Sequence, residues 1–164
     1  MSTGAYVLVK FEDPERLMPA VEELDSLSDI VKWDAVDGHF DLVLKLKQIG
    51  SQAIEQIKKL GGFTELASCE LQSDNENKMT LSPDYSYSYV FIETQRYQQK
   101  AVQSSLEKMD AVAFCSPASG ACDLVAVVQG ENFDNITRTI NNDIRPLDGV
   151  LRLKQDRIIF LDRM

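Results

Sequence analysis

Two short loops contain the residues with the clearest means of holding a polar ligand. The seven candidates are Asp37, Gly38, His39 and Asp41 in the first loop, and Gly120, Ala121 and Asp123 in the second. In both loops an aspartate stands three residues after a glycine and opens an aliphatic run. A carboxylate beside loop amides can hold the amino group of a small molecule. The same aspartates could instead accept a backbone N–H and close their loops, since aspartate is a common turn residue.

Other residue types give little support for catalysis or metal binding. His39 is the only histidine, so a site with two histidine ligands is excluded, and no cysteine or carboxylate cluster stands near it at ligand spacing. No nucleophile elbow, phosphate-binding glycine loop or paired-histidine zinc motif occurs. We therefore predict no catalytic residue, no metal and no cofactor, and a solvated loop position for His39.

The cysteines indicate a reducing compartment. Their count is three, Cys69, Cys115 and Cys122, and none is spaced as CxxC, which argues against a disulfide framework and favours a cytoplasmic protein. Cys115 and Cys122 flank the second loop and could lie close enough to interact. Burial as small hydrophobic side chains is the simpler interpretation.

The charge balance excludes two classes of partner. The chain has 26 acidic and 17 basic residues, a formal net charge of -9, and no basic run. Proteins that bind nucleic acid usually present a surface patch of lysine and arginine residues, so direct nucleic-acid binding is not expected. The same argument applies to an anionic membrane surface, and no apolar run is long enough to span a bilayer.

The loops lie between strands in a repeated order of elements. In the first half, strand 5–11 is followed by a helix that begins at Asp13-Pro14, strands 29–37 and 40–47, a helix from about Ser51, and strand 63–71. This order is βαββαβ. In strand 40–47, Phe40, Leu42, Leu44 and Leu46 alternate with polar or aliphatic residues and are predicted to share one face.

The second half repeats this order, which indicates an internal duplication. Predicted strands there cover 88–94, 111–116, 122–128 and the region from Gly149 onward, with one helix after the first strand and another over 133–144. The predicted domains are 1–72 and 87–164, joined by a polar, proline-containing linker over 73–86.

The strands are apolar on both faces, which predicts how the halves meet. Tyr6 and Leu8 point opposite to Val7 and Val9, and the first strand of the second half has the same character. Helices cover only one face of each sheet, and about 70 residues bury too little core alone. We therefore predict an α+β fold in which two ferredoxin-like βαββαβ repeats pack sheet to sheet, with the helices outside, as a pseudo-dimeric α+β barrel.

Three segments of the first half match a known pattern: Ala5-Tyr6-Val7-Leu8-Val9, the hairpin from Ala35 to Lys45 with its glycine, two variable residues and aspartate, and Gly62-Phe63. In these segments the first half resembles the effector-binding domain of the Lrp/AsnC family of regulators. The second half keeps Gly120, Asp123, Leu124 and Val125 and is less similar. The resemblance implies amino acid or related metabolite binding near the β2–β3 loop. It also implies self-association, since family domains form dimers and rings, and the helix-turn-helix usual in the family is not expected in this chain.

The resulting prediction is a non-enzymatic effector-binding or oligomerisation module that senses an amino acid or similar metabolite. Its output is expected through self-association or through mixed oligomers with full-length regulators. The alternative is a small enzyme of the dimeric α+β barrel class, either monooxygenase-like or heme-handling, because fold does not fix function.

Overall fold

The computed structural model describes residues 4–24, 29–47, 52–76 and 82–159. The first half has the predicted order of elements. Its strands and helices are β1 (Ala5–Phe11), α1 (Leu17–Leu24), β2 (Ile30–Gly38), β3 (Leu42–Leu46), α2 (Gln52–Leu60) and β4 (Phe63–Leu71). A 3₁₀ turn, Pro14–Arg16, leads into α1, and Asp13 accepts a hydrogen bond from the Glu15 amide at 3.0 Å as the N-cap.

The second half has the same order with different boundaries from those predicted. Its elements are β5 (Ser86–Thr94), α3 (Gln99–Glu107), β6 (Val112–Gly120), β7 (Leu124–Gly130), α4 (Phe133–Thr139) and β8 (Val150–Ile159). The predicted single helix over 133–144 is divided, because a π turn, Ile140–Ile144, follows α4. Strand β6 continues to Gly120, since its end pairs with β4 instead of turning into the hairpin.

The eight antiparallel strands close into one barrel. Strands β4-β1-β3-β2 form one four-stranded sheet and β8-β5-β7-β6 form the other. The two sheets are hydrogen bonded at both edges, β2 to β8 and β4 to β6, and we call these two junctions the seams. The predicted pseudo-dimeric α+β architecture is confirmed. The two sheets are also hydrogen bonded to each other, which sheet-to-sheet packing alone does not require. Each edge strand of one sheet pairs with an edge strand of the other, so the barrel has no open edge.

Alternating strand residues fill three apolar clusters. Tyr6 and Leu8 of β1, with Tyr89 and Phe91 of β5, face the barrel interior. Val7 and Val9 face α1 and α2, and Val90 and Ile92 face α3 and α4. The two faces predicted for these strands are therefore confirmed. The interior cluster takes residues from both halves, so each half covers the apolar sheet of the other.

The predicted common face of Phe40 and Leu42 is wrong. Phe40 lies in the barrel interior, whereas Leu42, Leu44 and Leu46 pack beneath the helices of the first half. The strand begins only at Leu42, and Phe40 belongs to the loop before it, so the strict alternation does not extend back to Phe40.

The described part of the connection between the halves is hydrogen bonded to strand β6. Residues 77–81 of the predicted linker lie outside the described residues. The Asn75 amide donates to Ser116 Oγ at 2.9 Å, and Asn75 Nδ2 donates to the Cys115 carbonyl at 2.8 Å. Residues 74–76 therefore lie against the barrel. Within the described ranges no helix has the length and apolar character needed to cross a membrane.

Candidate functional site: a groove over the β2–β8 seam

A groove of about 610 Å³ runs along the outside of the barrel where β2 pairs with β8. This volume is within the range of small-molecule sites. The first residues of α1 and α4, Leu17 and Phe133, line the groove. Its lining residues come from both halves of the chain: Pro14, Leu17, Ala35, Val36, Asp37, Asp41, Tyr85, Ser86, Phe133, Arg157, Ile158 and Ile159.

Opposite charges stand side by side at the groove. Asp37 on β2 and Arg157 on β8 are cross-strand partners in the seam register. Residues directly opposite in an antiparallel pair have Cβ atoms about 5 Å apart. The Asp37 side chain is exposed and Arg157 is half-buried, so both are accessible from the groove. The arrangement places one carboxylate and one guanidinium at the same groove.

The N-terminus of α4 positions the cation. Asn132 caps this helix by accepting from the Asn135 amide at 2.8 Å, and Phe133 is the first helical residue. The Arg157 guanidinium carbon lies 5.2 Å from the centroid of the Phe133 ring, within cation–π range. This contact holds the guanidinium beside an apolar wall of the groove. Phe133 of the second half and Leu17 of the first half form this wall.

Asp41 and Asp123 are used in the same way in the two halves. Asp41 Oδ2 accepts from the Phe11 amide at 2.8 Å, and Asp123 Oδ2 accepts from the Thr94 amide at 2.8 Å. Each carboxylate therefore accepts a backbone N–H, as the structural alternative has it, but from the end of the first strand of its half and not from its own loop. Asp41 also lines the groove, so this role does not remove it from a ligand's reach.

Gly38 and Gly120 lie at the two seams. A Cβ atom on Gly38 would come 2.2 Å from the Gln155 carbonyl oxygen, and one on Gly120 would come 2.7 Å from that of Ser68. Gly120 also has a φ of +105°, which side chains rarely adopt. Glycine is required at both positions because the backbone of the partner strand approaches so closely.

The remaining predicted residues lie elsewhere. His39 Nε2 is 2.7 Å from Glu65 Oε2, so His39 is paired and only partly solvated. Ala121 is exposed, and its amide donates to the Ser68 carbonyl at the β4–β6 seam at 2.9 Å. Asp123 lines a separate groove of about 430 Å³ beside Arg96 and Lys100. The structure thus brings Asp37 and Asp41 together and separates them from the predicted residues of the second half.

A buried carboxyl that the sequence did not indicate lies beneath the first loop. Asp156 on β8 is fully buried, and its Oδ1 accepts from the Phe40 amide at 2.7 Å. Its Oδ2 has no hydrogen-bond partner among the described residues. Burial raises the pKa of Asp156 to about 6, against an ordinary value of 3.8.

The groove residues that sequence reasoning missed are Arg157, Phe133 and Leu17. No local pattern distinguishes them, since an arginine in a strand and apolar residues opening helices are ordinary features. Their shared position depends on the pairing of β2 with β8, which joins residues more than a hundred positions apart in the chain.

Cys115 and Cys122 are both buried, as the simpler interpretation of the sequence has it, and they do not meet each other. Cys115 packs beneath the helices of the second half, and Cys122 lies in the barrel interior, because they face opposite sides of the sheet. Cys122 instead meets Cys69 of β4, with the two sulfur atoms 2.8 Å apart. Among the described residues, no group of three or more histidine, cysteine or acidic side chains is placed to hold a metal ion.

Solved structures share the fold over nearly the whole chain. The siroheme decarboxylase NirDL superposes with a TM-score of 0.75 at 8% identity, covering 96% of this chain and 71% of that one. A mutant chlorite dismutase from Candidatus Nitrospira defluvii gives a TM-score of 0.51 at 12% identity, covering 99% and 94%. A putative monooxygenase from Fusobacterium nucleatum gives 0.50 at 11%, covering 94% and 89%. Identities this low show a common fold and no more.

The family model of the Lrp/AsnC ligand binding domain matches residues 88–156. No curated protein matches the sequence at a significant level. The match falls on the second half, whereas the closer resemblance seen from the sequence lay in the first. The matched segment runs from β5 into β8 and includes Phe133 of the groove. Residues 88–156, less than half of the chain, are therefore similar to an Lrp/AsnC ligand-binding domain.

Proposed function

We propose that the protein is a non-enzymatic effector-binding module that takes an amino acid or a similar zwitterionic metabolite in the groove over the β2–β8 seam. The observation that carries this proposal is the cross-strand pair of Asp37 and Arg157 beside an apolar wall. A ligand with an ammonium and a carboxylate group matches that pair in charge, and an apolar side chain would lie against Leu17 and Phe133.

The geometry gives each group a separate role. Arg157 binds the carboxylate, because a guanidinium presents paired donors to a planar anion. Asp37, and the edge of Asp41 that reaches the groove, bind the ammonium group. Since the groove is built from both halves, a bound ligand would also bridge the seam and stabilise the closed barrel.

A thermal-shift screen with amino acids and nucleotides tests the proposal. A ligand at a hundred times its dissociation constant should add about 2.7 kcal/mol of stability. We expect Arg157→Gln and Asp37→Asn each to weaken the binding of a hit at least about tenfold, since each removes one charged contact. The matched control is Arg138→Gln, which removes an exposed arginine from α4 outside the groove.

The second groove gives an internal comparison. Asp123→Asn should leave the binding of the hit unchanged, because Asp123 lines a different groove. A hit that binds equally well to wild type, Arg157→Gln and Asp37→Asn would place the ligand elsewhere and reject this site. Asp41→Ala is a poor probe, because it also removes the acceptor for the Phe11 amide.

We further propose that ligand binding is read out by association with other copies or with full-length regulators of the family. The exposed apolar side chains of Tyr85 and Ile159, which both line the groove, support a protein contact on this surface. Sedimentation with and without the screened ligand is the test, and a mass independent of both ligand and protein concentration would contradict the proposal.

The alternative function is a small enzyme of the dimeric α+β barrel class. It is favoured by the fold shared with NirDL, chlorite dismutase and the putative monooxygenase, at identities that carry no chemistry across. Heme retained through purification from heme-supplemented cells, or turnover of a candidate substrate that Asp156→Asn abolishes, would establish it in place of the proposed module.

A further inference from the structure

A second charged site lies inside the barrel, at the end of the strands away from the β2–β3 loop. Lys32 of β2 and Lys45 of β3 are cross-strand partners there, and Tyr6 of β1 pairs with Lys45 on its other side. The Lys45 side chain is only 8% exposed, and Tyr6 is fully buried. The buried Lys45 ammonium requires an anionic partner, since an unpaired buried charge is costly, and the half-buried Lys32 adds a second positive charge beside it.

The barrel strands supply only part of the negative charge that balances Lys32 and Lys45. Asp34 Oδ2 lies 3.4 Å from Lys32 Nζ and also accepts from the Tyr89 hydroxyl at 2.7 Å. The strands therefore contribute two cations and one carboxylate to this end of the barrel. The remaining negative charge comes from the segment that connects the two halves.

Glu76 of that segment occupies the site as a ligand would. Its Oε1 lies 2.6 Å from Lys32 Nζ and accepts from the Tyr6 hydroxyl at 2.9 Å, while its Oε2 accepts from Lys45 Nζ at 2.8 Å. Asp74 adds a second carboxylate, 2.8 Å from Lys45 Nζ. Burial by itself would raise the pKa of Glu76, but Lys32 and Lys45 outweigh it and hold that pKa below its ordinary value.

We propose that Lys32, Lys45 and Tyr6 form a binding site for a small carboxylate metabolite, which Glu76 fills when no ligand is present. The pair of carboxylates that the segment brings to Lys45 favours a dicarboxylate as the external ligand. This site is independent of the groove over the β2–β8 seam, because its residues lie inside the barrel and include neither Asp37 nor Arg157.

The structure also indicates what displacement would change. Glu76 follows Asn75, which bonds to Ser116 and the Cys115 carbonyl of β6 in the other half. A ligand that replaces Glu76 would loosen this attachment of the connecting segment. The site therefore couples anion binding to a contact between the two halves.

The first test removes the Glu76 carboxylate by mutation and offers a free carboxylate, acetate, in its place. Glu76→Ala is titrated with sodium acetate at pH 7 and constant ionic strength, with chloride as the replaced anion. We expect acetate to raise its melting temperature by several degrees, to have a much smaller effect on wild type, and to have none on Glu76→Ala/Lys45→Met. Glu22→Ala, an exposed glutamate on α1, is the matched control. An acetate response no larger than that of Glu22→Ala would overturn the proposal.

The second test uses the wild-type protein, so it holds even if Glu76→Ala fails to fold. Succinate at saturating concentration should accelerate amide hydrogen exchange at Asn75 roughly fivefold or more, because its N–H bond to Ser116 Oγ opens when Glu76 is displaced. Lys45→Met should remove the effect. Exchange at Asn75 that is unchanged by succinate would show that Glu76 is a permanent part of the barrel and would reject the exchangeable site.

Discussion

At the residue scale, the buried polar side chains of this barrel differ in how many of their polar atoms have a hydrogen-bond partner. The Tyr89 hydroxyl donates to Asp34, and burial followed by the nearby Asp34 charge raises the pKa of Tyr89 well above its ordinary value. The carboxyl of Asp156 has a hydrogen-bond partner for one oxygen only among the described residues. Asp156 is therefore the position where protonation should change stability most.

We expect Asp156 to make the protein less stable as the pH rises from about 4 to about 6. The pKa of Asp156 is about 6 in the folded state and near 3.8 when unfolded, so the folded state binds the proton more tightly. The stabilisation is complete below the unfolded pKa and is lost as pH passes the folded pKa. A difference of two pKa units corresponds to up to about 3 kcal/mol.

Asp156→Asn should remove this pH dependence, because the amide keeps an oxygen for the Phe40 N–H and carries no charge. Urea unfolding at pH 4.5, 6 and 7.5 measures it, and the exposed Asp148→Asn is the control. If wild type and Asp156→Asn differ by the same free energy at all three pH values, the titration does not belong to Asp156.

The three thiols should react slowly in the native protein. The contact with Cys69 and burial raise the pKa of Cys122, and burial raises that of Cys115 to about 12, so little thiolate forms near neutral pH. An aromatic disulfide reagent at pH 7.5 should label all three cysteines only after denaturation. Ser119→Cys places a thiol at an exposed position and should label at once. Rapid labelling of the native wild type would contradict the buried Cys69–Cys122 contact.

At the element scale, the seams are the feature that converts two sheets into a barrel. Each seam pairs the second strand of one half with the last strand of the other, β2 with β8 and β6 with β4. Gly38 and Gly120 occupy equivalent places in them, each against a partner carbonyl. The sequence indicated both glycines, but as candidate ligand-binding residues of the two loops. Their packing role could not be inferred, because it depends on a strand from the other half.

We expect Gly38→Ala and Gly120→Ala each to reduce stability by about 2–4 kcal/mol, since the added methyl group must displace a seam strand. Gly61→Ala is the matched control. Gly61 has no atom within 4 Å of a built Cβ, so only its φ of +64° opposes the change, at about 1 kcal/mol. Urea unfolding of the three variants measures the difference. A Gly38→Ala variant as stable as Gly61→Ala would mean that the β2–β8 seam has room for a methyl group beside the Gln155 carbonyl.

At the scale of the whole molecule, the two halves share one interior. Tyr6, Leu8 and Val43 from the first half and Tyr89, Phe91 and Val125 from the second belong to the same buried cluster. Neither half can lose its sheet without exposing the apolar face of the other. The barrel should therefore unfold as one unit, as small single domains usually do.

The single tryptophan tests this cooperativity. Trp33 lies in the first half and packs with its helix-side cluster, so its fluorescence reports that half. Far-UV circular dichroism reports both halves. We expect the two urea transitions to have the same midpoint. An earlier fluorescence transition would show that the first half unfolds separately and that the seams contribute little to the stability of the barrel.

The order of elements, the two-faced strands and the general architecture could be predicted from the sequence, because these features depend on local propensity and on periodicity within each segment. The sequence also identified Asp37 and Asp41, which do line the groove. The pairing of strands at the seams, the position of Arg157 and Phe133 beside those aspartates and the position of Glu76 between two lysines became known only from the folded structure. Those contacts join residues distant in the chain, and no local pattern specifies which strand edges will pair.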